Sequence, residues 1–90
     1  MESIKDKINN LFKELDFEIR NINGDEYYFK NNFYYKMEYW NEANSYILEY
    51  AESYDDVCNN LFLDSDIYNL DCNENDFIKR LYNDLIKYYK

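Results

Sequence analysis

Histidine and proline are absent from this chain, and it has a single glycine. Each absence removes a class of chemistry. Without histidine there is no imidazole to activate a serine or cysteine nucleophile, and most zinc sites lose a principal ligand. One glycine cannot build a glycine-rich phosphate cradle. So little glycine and no proline also set the composition apart from disordered chains. Cys58 and Cys72 have neither metal-ligand spacing nor a disulfide framework around them, and read as two reduced cytosolic thiols. No apolar run is long enough to span a bilayer, and the opening MESIKDKINNLFKEL lacks a secretory core. The expected location is cytoplasmic.

Positive charge is scarce as well. Ten Lys and Arg stand against nineteen Asp and Glu, for a net charge of -9. That sign argues against direct contact with nucleic acid or an anionic membrane and favours a cationic partner. The imbalance is also uneven. From Met37 to Ile78 there is no Lys or Arg, while eleven acids fall in that window; the remainder holds eight acids against ten bases. The ordinary reading of such a window is a solvated face. Gathering like charge opposes folding through self-repulsion, and a cationic partner would relieve it.

Aromatic side chains are abundant. The chain is 47% hydrophobic and 21% aromatic, enough to give a dense core to one domain spanning residues 1–90. A domain of this size buries only about 60–65% of its unfolded surface, so its core side chains must be large. In EYYFKNNFYYKMEYW, residues 26–40, eight of fifteen positions are aromatic, more than one buried strand face accommodates.

The periodicities give an element order. Ile4, Ile8, Leu11, Phe12 and Leu15 predict a helix over 4–15, capped by Ser3. FEIRNI and EYYFK flank Asn23-Gly24, a hairpin signal. A two-residue loop pairs Ile22 with Asp25, whereas a three-residue loop, Asn23 to Asp25, sets Ile19 opposite Phe29 and gathers the apolar residues on one side; the second is preferred. The same reasoning gives the next hairpin a loop of Lys30 to Asn32. One face then carries Tyr27, Phe29, Phe33, Tyr35, Met37 and Tyr39 as core, and the other carries Tyr28, Tyr34, Lys36, Glu38 and Trp40. SYILEYA (45–51) predicts a fourth strand of ambiguous alternation. Ser53 begins a short helix reaching Leu61 or Phe62, residues 63–72 read as irregular, and Asn73 caps a last helix with Phe77, Ile78, Leu81, Tyr82, Leu85 and Tyr88 inside. The expected fold is α+β: an N-terminal helix, an antiparallel four-stranded meander, and two C-terminal helices covering one face.

Several chemistries fail on inspection. DSDIYNLDCNEN resembles a calcium loop only at Asp64 and Asp66; Tyr68, Asn69 and Asn75 stand where ligands or glycine are needed, so no metal or cofactor is expected. Nineteen acids make chance carboxylate pairs inevitable, which carries no case for an enzyme. The rings lack the positive field that nucleic-acid stacking platforms require. Protein binding remains, because Tyr and Trp are rigid interface anchors and carboxylates steer and pair with cations. The candidate contacts are Asp55, Asp56, Asp64, Asp66, Asp71 and Glu74, with Tyr54 and Tyr68 as anchors. An alternative is an adaptor binding through its aromatic sheet face, at Tyr34 and Trp40.

From SYILEYAESYDD through NNLFLDSDIYNLD to DFIKRLYNDLIKYY, over residues 45–90, the chain resembles small acidic immunity proteins encoded beside bacterial toxins. The resemblance implies a cytosolic one-to-one inhibitor of a basic partner, a toxin nuclease, and assigns no individual residue. Phage anti-CRISPR proteins and other nucleic-acid mimics share this size and acidity.

Overall fold

The computed structural model describes residues 3–71 and 73–88, with Asp64 and Ser65 by backbone alone; Cys72 lies outside the described residues. Helix α1 (Ile4–Glu14) opens on Ser3, whose Oγ accepts the Asp6 N–H at 3.1 Å. It ends at a left-handed residue, Asp16 (φ 67°). There the Phe17 N–H donates to the Phe12 carbonyl at 3.0 Å and the Asp16 N–H to that of Lys13 at 3.1 Å. This is a Schellman closure, with its hydrophobic contact supplied by Phe12 and Phe17 edge to face at 4.9 Å.

Five antiparallel strands follow in sequential order: β1 (Glu18–Ile22), β2 (Asp25–Lys30), β3 (Phe33–Trp40), β4 (Ser45–Ala51) and β5 (Leu63–Asn69). Helix α2 (Tyr54–Cys58) lies between β4 and β5, and α3 (Glu74–Tyr88) ends the chain. Both tight hairpins use two-residue loops, which corrects the expected three-residue loops. Ile22 pairs with Asp25 and Ile19 with Tyr28; in the second hairpin Lys30 pairs with Phe33 and Tyr28 with Tyr35. The loop residues Asn23 (φ 54°), Gly24 (φ 88°), Asn31 (φ 53°) and Asn32 (φ 71°) are all left-handed. Consecutive left-handed residues are the hairpin geometry whose twist matches that of the strands.

The changed register exchanges the faces of β2. Tyr28 joins Tyr35, Met37, Tyr46, Leu48 and Tyr68 against Ile8, Leu11 and Phe12 of α1 and Phe77, Leu81 and Leu85 of α3. Tyr28 stacks on Phe12 at 3.9 Å, and its hydroxyl donates to the Asn9 side-chain oxygen. Tyr27, Tyr34, Ile22 and Ala51 form a second cluster on the opposite face with Val57 of α2, flanked by Phe29 and Phe62. The expectation of one buried face is thus replaced by two. The sheet is a middle layer, with α1 and α3 on one side and the short α2 on the other. That also resolves β4: Tyr46 and Leu48 face the long helices while Ala51 faces α2.

Three further expectations are corrected. The helix beginning after Ser53 stops at Cys58, because Asn60 turns left-handed (φ 56°) and the Leu61 N–H closes onto the Asp56 carbonyl at 2.8 Å. Residues 63–69 are a strand, not irregular; β5 pairs along β4 with a bulge at Leu48/Glu49. Its Asp residues disfavour strands in general. On a sheet edge, however, charge is what guards against unwanted pairing. Helix α3 begins beyond Asn73, whose Oδ1 accepts the Asp76 N–H at 2.9 Å, but Tyr82 and Tyr88 are exposed and lie outside its buried stripe.

The backbone and the buried phenols can each be tested. Asp16→Gly should raise unfolding free energy in urea by about 0.5–1 kcal/mol, since it relieves a left-handed residue and removes an acid from a helix C-terminus. Asn32→Val should lower it by about 1–2 kcal/mol. Burial raises the pKa of Tyr27, Tyr28, Tyr35 and Tyr46, because each is held neutral in the native state. A raised native pKa contributes stability that is complete below the unfolded phenol value of about 10 and is lost as pH rises above it. Tyrosinate absorbance from these four should therefore appear together with loss of ellipticity in an alkaline titration.

Candidate protein-binding surface

The acidic and tyrosine residues singled out by sequence are not brought together. Asp55 and Asp56 ride on α2, beyond the Ala51 end of β4, with the Asp56 N–H capped by Ser53 Oγ at 3.1 Å. Tyr54 is exposed beside them, and the hydrogen-bonded Cys58 raises its pKa. Asp71 and Glu74 lie past Asn69, which pairs with Ser45 at the opposite end of β4. Along a strand of seven residues that separation is about 20 Å. Glu74 is paired with Lys7 at 3.2 Å, and Asp71 accepts from the Asn44 amide at 3.4 Å. Asp66 sits opposite Leu48, and the Asp64 side chain lies outside the described residues.

Tyr68 requires a plain correction. It is 1% exposed, its hydroxyl donates to Asp84 Oδ2 at 2.8 Å, and the Arg80 guanidinium covers its ring at 4.9 Å. It is a core residue and offers no contact surface. Tyr34, the sheet-face alternative, is likewise buried beneath α2.

What remains open is the half of the outer sheet face that α2 does not reach. Register places Glu38, Ile47 and Ile67 in one row across β3, β4 and β5. Trp40, Ser45 and Asn69 form the next row on the same side. Glu38, Tyr39, Trp40, Ile47 and Ile67 line a shallow groove of about 520 Å³. Trp40 is 42% and Ile67 51% exposed, high values for side chains of this size in a small domain. The indole is held in place, its Nε1 donating to Glu42 Oε2 at 3.0 Å. Tyr39 is fixed by its hydroxyl, which donates to Asn44 Oδ1 at 2.8 Å.

Carboxylates border this apolar strip. Glu38 and Glu42 are exposed at its margin, and Glu49 is half-buried one row away, opposite Lys36. Lys36 is the local cation and is already engaged, lying 4.1 Å from the Phe62 ring and 3.8 Å from Glu38. The arrangement is a rigid aromatic anchor with aliphatic neighbours and an acidic margin. It suits a partner that presents cations around an apolar contact. Sequence placed Trp40 and Glu38 on one face of β3 but missed Ile47 and Ile67 beside them. The signal was available in the second apolar series of SYILEYA, which follows from burial on both faces.

Among the described residues, no group of three or more Cys, Asp or Glu is placed to hold a metal ion, and no helix is long and apolar enough to cross a membrane. No protein-family model, curated protein or solved structure matches the chain.

Surface and core tyrosines and their neighbours should separate cleanly on substitution. Ile67→Ser and Trp40→Ala should each change urea-unfolding stability by no more than about 1 kcal/mol, while Tyr68→Ala should cost about 3–5 kcal/mol.

Proposed function

We propose that this chain is a non-enzymatic binding protein that occupies a cationic protein surface through the Trp40–Ile47–Ile67 strip, and that it acts as an inhibitor of the kind an immunity protein provides against a toxin nuclease. One observation carries the reading: the sole tryptophan and Ile67 are exposed, with half-buried Ile47 between them, on the outer face of the sheet and within the stretch from Met37 to Ile78 that has no Lys or Arg. A nuclease must present positive charge to its substrate, and an acidic surface with an aromatic anchor competes for that site by charge while gaining grip from the ring. The net charge of -9 supports the same polarity. The contact set moves accordingly, from the dispersed acids to Trp40, Ile47 and Ile67 with Glu38 and Glu42 at the margin. A nuclease of a host defence system offers the same chemistry, and the genomic neighbour distinguishes the two.

The test is reconstitution with the product of the adjacent gene. A one-to-one complex should form, Trp40 emission should shift to the blue, and nuclease activity should fall. Trp40→Ala should weaken the complex by about thirtyfold, as loss of an interface hot spot does. Glu38→Lys with Glu42→Lys should slow association, and added salt should slow the wild type. A complex that forms equally well with Trp40→Ala, or a partner without a basic surface, overturns the reading.

A further inference from the structure

The sheet is not continuous between its second and third strands. β3 pairs with β4 over seven residues, but β2 and β3 pair only through Tyr28–Tyr35, Phe29–Tyr34 and Lys30–Phe33. Beyond Tyr28 and Tyr35 the strands part, although β2 runs back to Asp25 and β3 on to Trp40. A cleft of about 430 Å³ opens there, lined by Gly24, Asp25, Glu26 and Tyr27 on one side, Lys36, Met37 and Glu38 on the other, and Lys5 from α1. Phe62 roofs its inner end on the outer face, its ring stacked on Tyr27 at 5.8 Å and under the Lys36 ammonium at 4.1 Å. The mouth is open: a Cβ added at Gly24 would meet nothing within 4 Å.

Two strand edges that face each other without a ladder are unusual inside a sheet. Alternate residues of each edge point their N–H and C=O groups at the neighbouring position. A row of N–H and C=O groups without ladder partners is a template for an added strand. We propose that the gap between β2 and β3 receives one extended segment of a partner polypeptide, which hydrogen-bonds to both edges and completes a six-stranded sheet. A segment with its own N–H and C=O groups on both sides is what two facing edges select; a compact small molecule cannot satisfy them together. Asp25, Glu26 and Glu38 are exposed along the cleft and outnumber exposed Lys5 and half-buried Lys36, so lysine or arginine on the segment is favoured at the rim. The assignment rests on the reading of the chain as a protein-binding module and adds the part of the partner that enters it.

The probe is a short capped peptide alternating lysine and valine, followed by amide hydrogen exchange and chemical shifts. In the free protein, the amides of residues 25–27 and 36–40 that do not bond to β1 or β4 should exchange at least ~10-fold faster than those of the Tyr28–Tyr35 ladder. The peptide should slow them, and its copy N-methylated at alternate residues should bind at least ~10-fold more weakly because the main-chain donors are gone. Asp25→Lys with Glu38→Lys should weaken the unmethylated peptide about fivefold. Slow exchange at these amides in the free protein, equal binding of the N-methylated copy, or shifts confined elsewhere overturns the proposal. Protection that develops with protein concentration alone assigns the gap to a second copy and also overturns it. If the peptide leaves the gap untouched while the cationic partner still depends on Trp40, only this inference falls; if the gap binds peptide and no partner uses Trp40, only the reading of the sheet face falls.

Discussion

Four left-handed residues in two hairpin loops decide which side of this sheet each aromatic ring occupies. Because side chains alternate along a strand, one residue added to either loop would exchange every ring of β2 between the two layers. With Asn23-Gly24 and Asn31-Asn32 as two-residue turns, Tyr28 meets Phe12 of α1 and Tyr27 meets Phe62. Both layers depend on that choice. Tyr28 is one of the largest fully buried side chains and Tyr27 anchors the cluster under α2. The turn chemistry is therefore not local detail but the constraint from which the two-sided core follows.

The cations then fall where the rings are. Arg20 lies 3.6 Å over Phe29, Lys30 4.9 Å over Phe17, Lys36 4.1 Å over Phe62 and Arg80 4.9 Å over Tyr68. Each covers an aromatic face with its own stem and charge, and such contacts are worth about 0.5–1 kcal/mol at exposed sites. Arg20 is further held by Glu18 at 3.1 Å, the hydrogen bond that raises its pKa most. With Lys5 over Tyr28 at 5.8 Å and Lys87 over Tyr88 at 5.3 Å, six of the ten bases lie against rings, and Lys7 is held by an ion pair with Glu74. The far half of the outer face, around Trp40 and Ile67, keeps its carboxylates without a comparable set of counterions. Its polarity comes from where bases are used elsewhere as much as from where acids are gathered.

Much of the architecture was legible from residue patterns. The caps at Ser3, Ser53 and Asn73, the stripes of α1 and α3, and the sequential antiparallel order of the first four strands all follow from local chemistry. The failures share one cause. A single buried face was assumed, so gathering rings on one side outweighed the Asn-Gly turn signal, and the β2 faces came out exchanged. The same assumption made SYILEYA ambiguous, when Leu48 and Ala51 serve different layers. Strand β5 escaped because its acids obscure an edge strand that long-range pairing with β4 creates. Of the site, Trp40 and Glu38 were readable as sharing one face of β3. Tyr68 was misplaced because nothing local shows that Asp84, sixteen residues on, accepts its hydroxyl proton inside the core.

The exposed Trp40–Ile67 strip and the parted strands lie toward the same end of the sheet. Helix α2 is five residues long, and the outer cluster it joins, Ile22, Tyr27, Tyr34 and Ala51, does not extend to Trp40, Ile47 and Ile67. Past Phe62 there is no second layer to press on the outer face, and there the ladder between β2 and β3 stops. The outer rings that α2 would have covered, had it continued, are left to solvent together with the unpaired edges. A longer α2 would have closed the domain at the cost of both features. Its early stop at Asn60, a left-handed residue after which the Leu61 N–H closes onto the Asp56 carbonyl, is the local event that leaves Trp40 and Ile67 exposed on this side of the molecule.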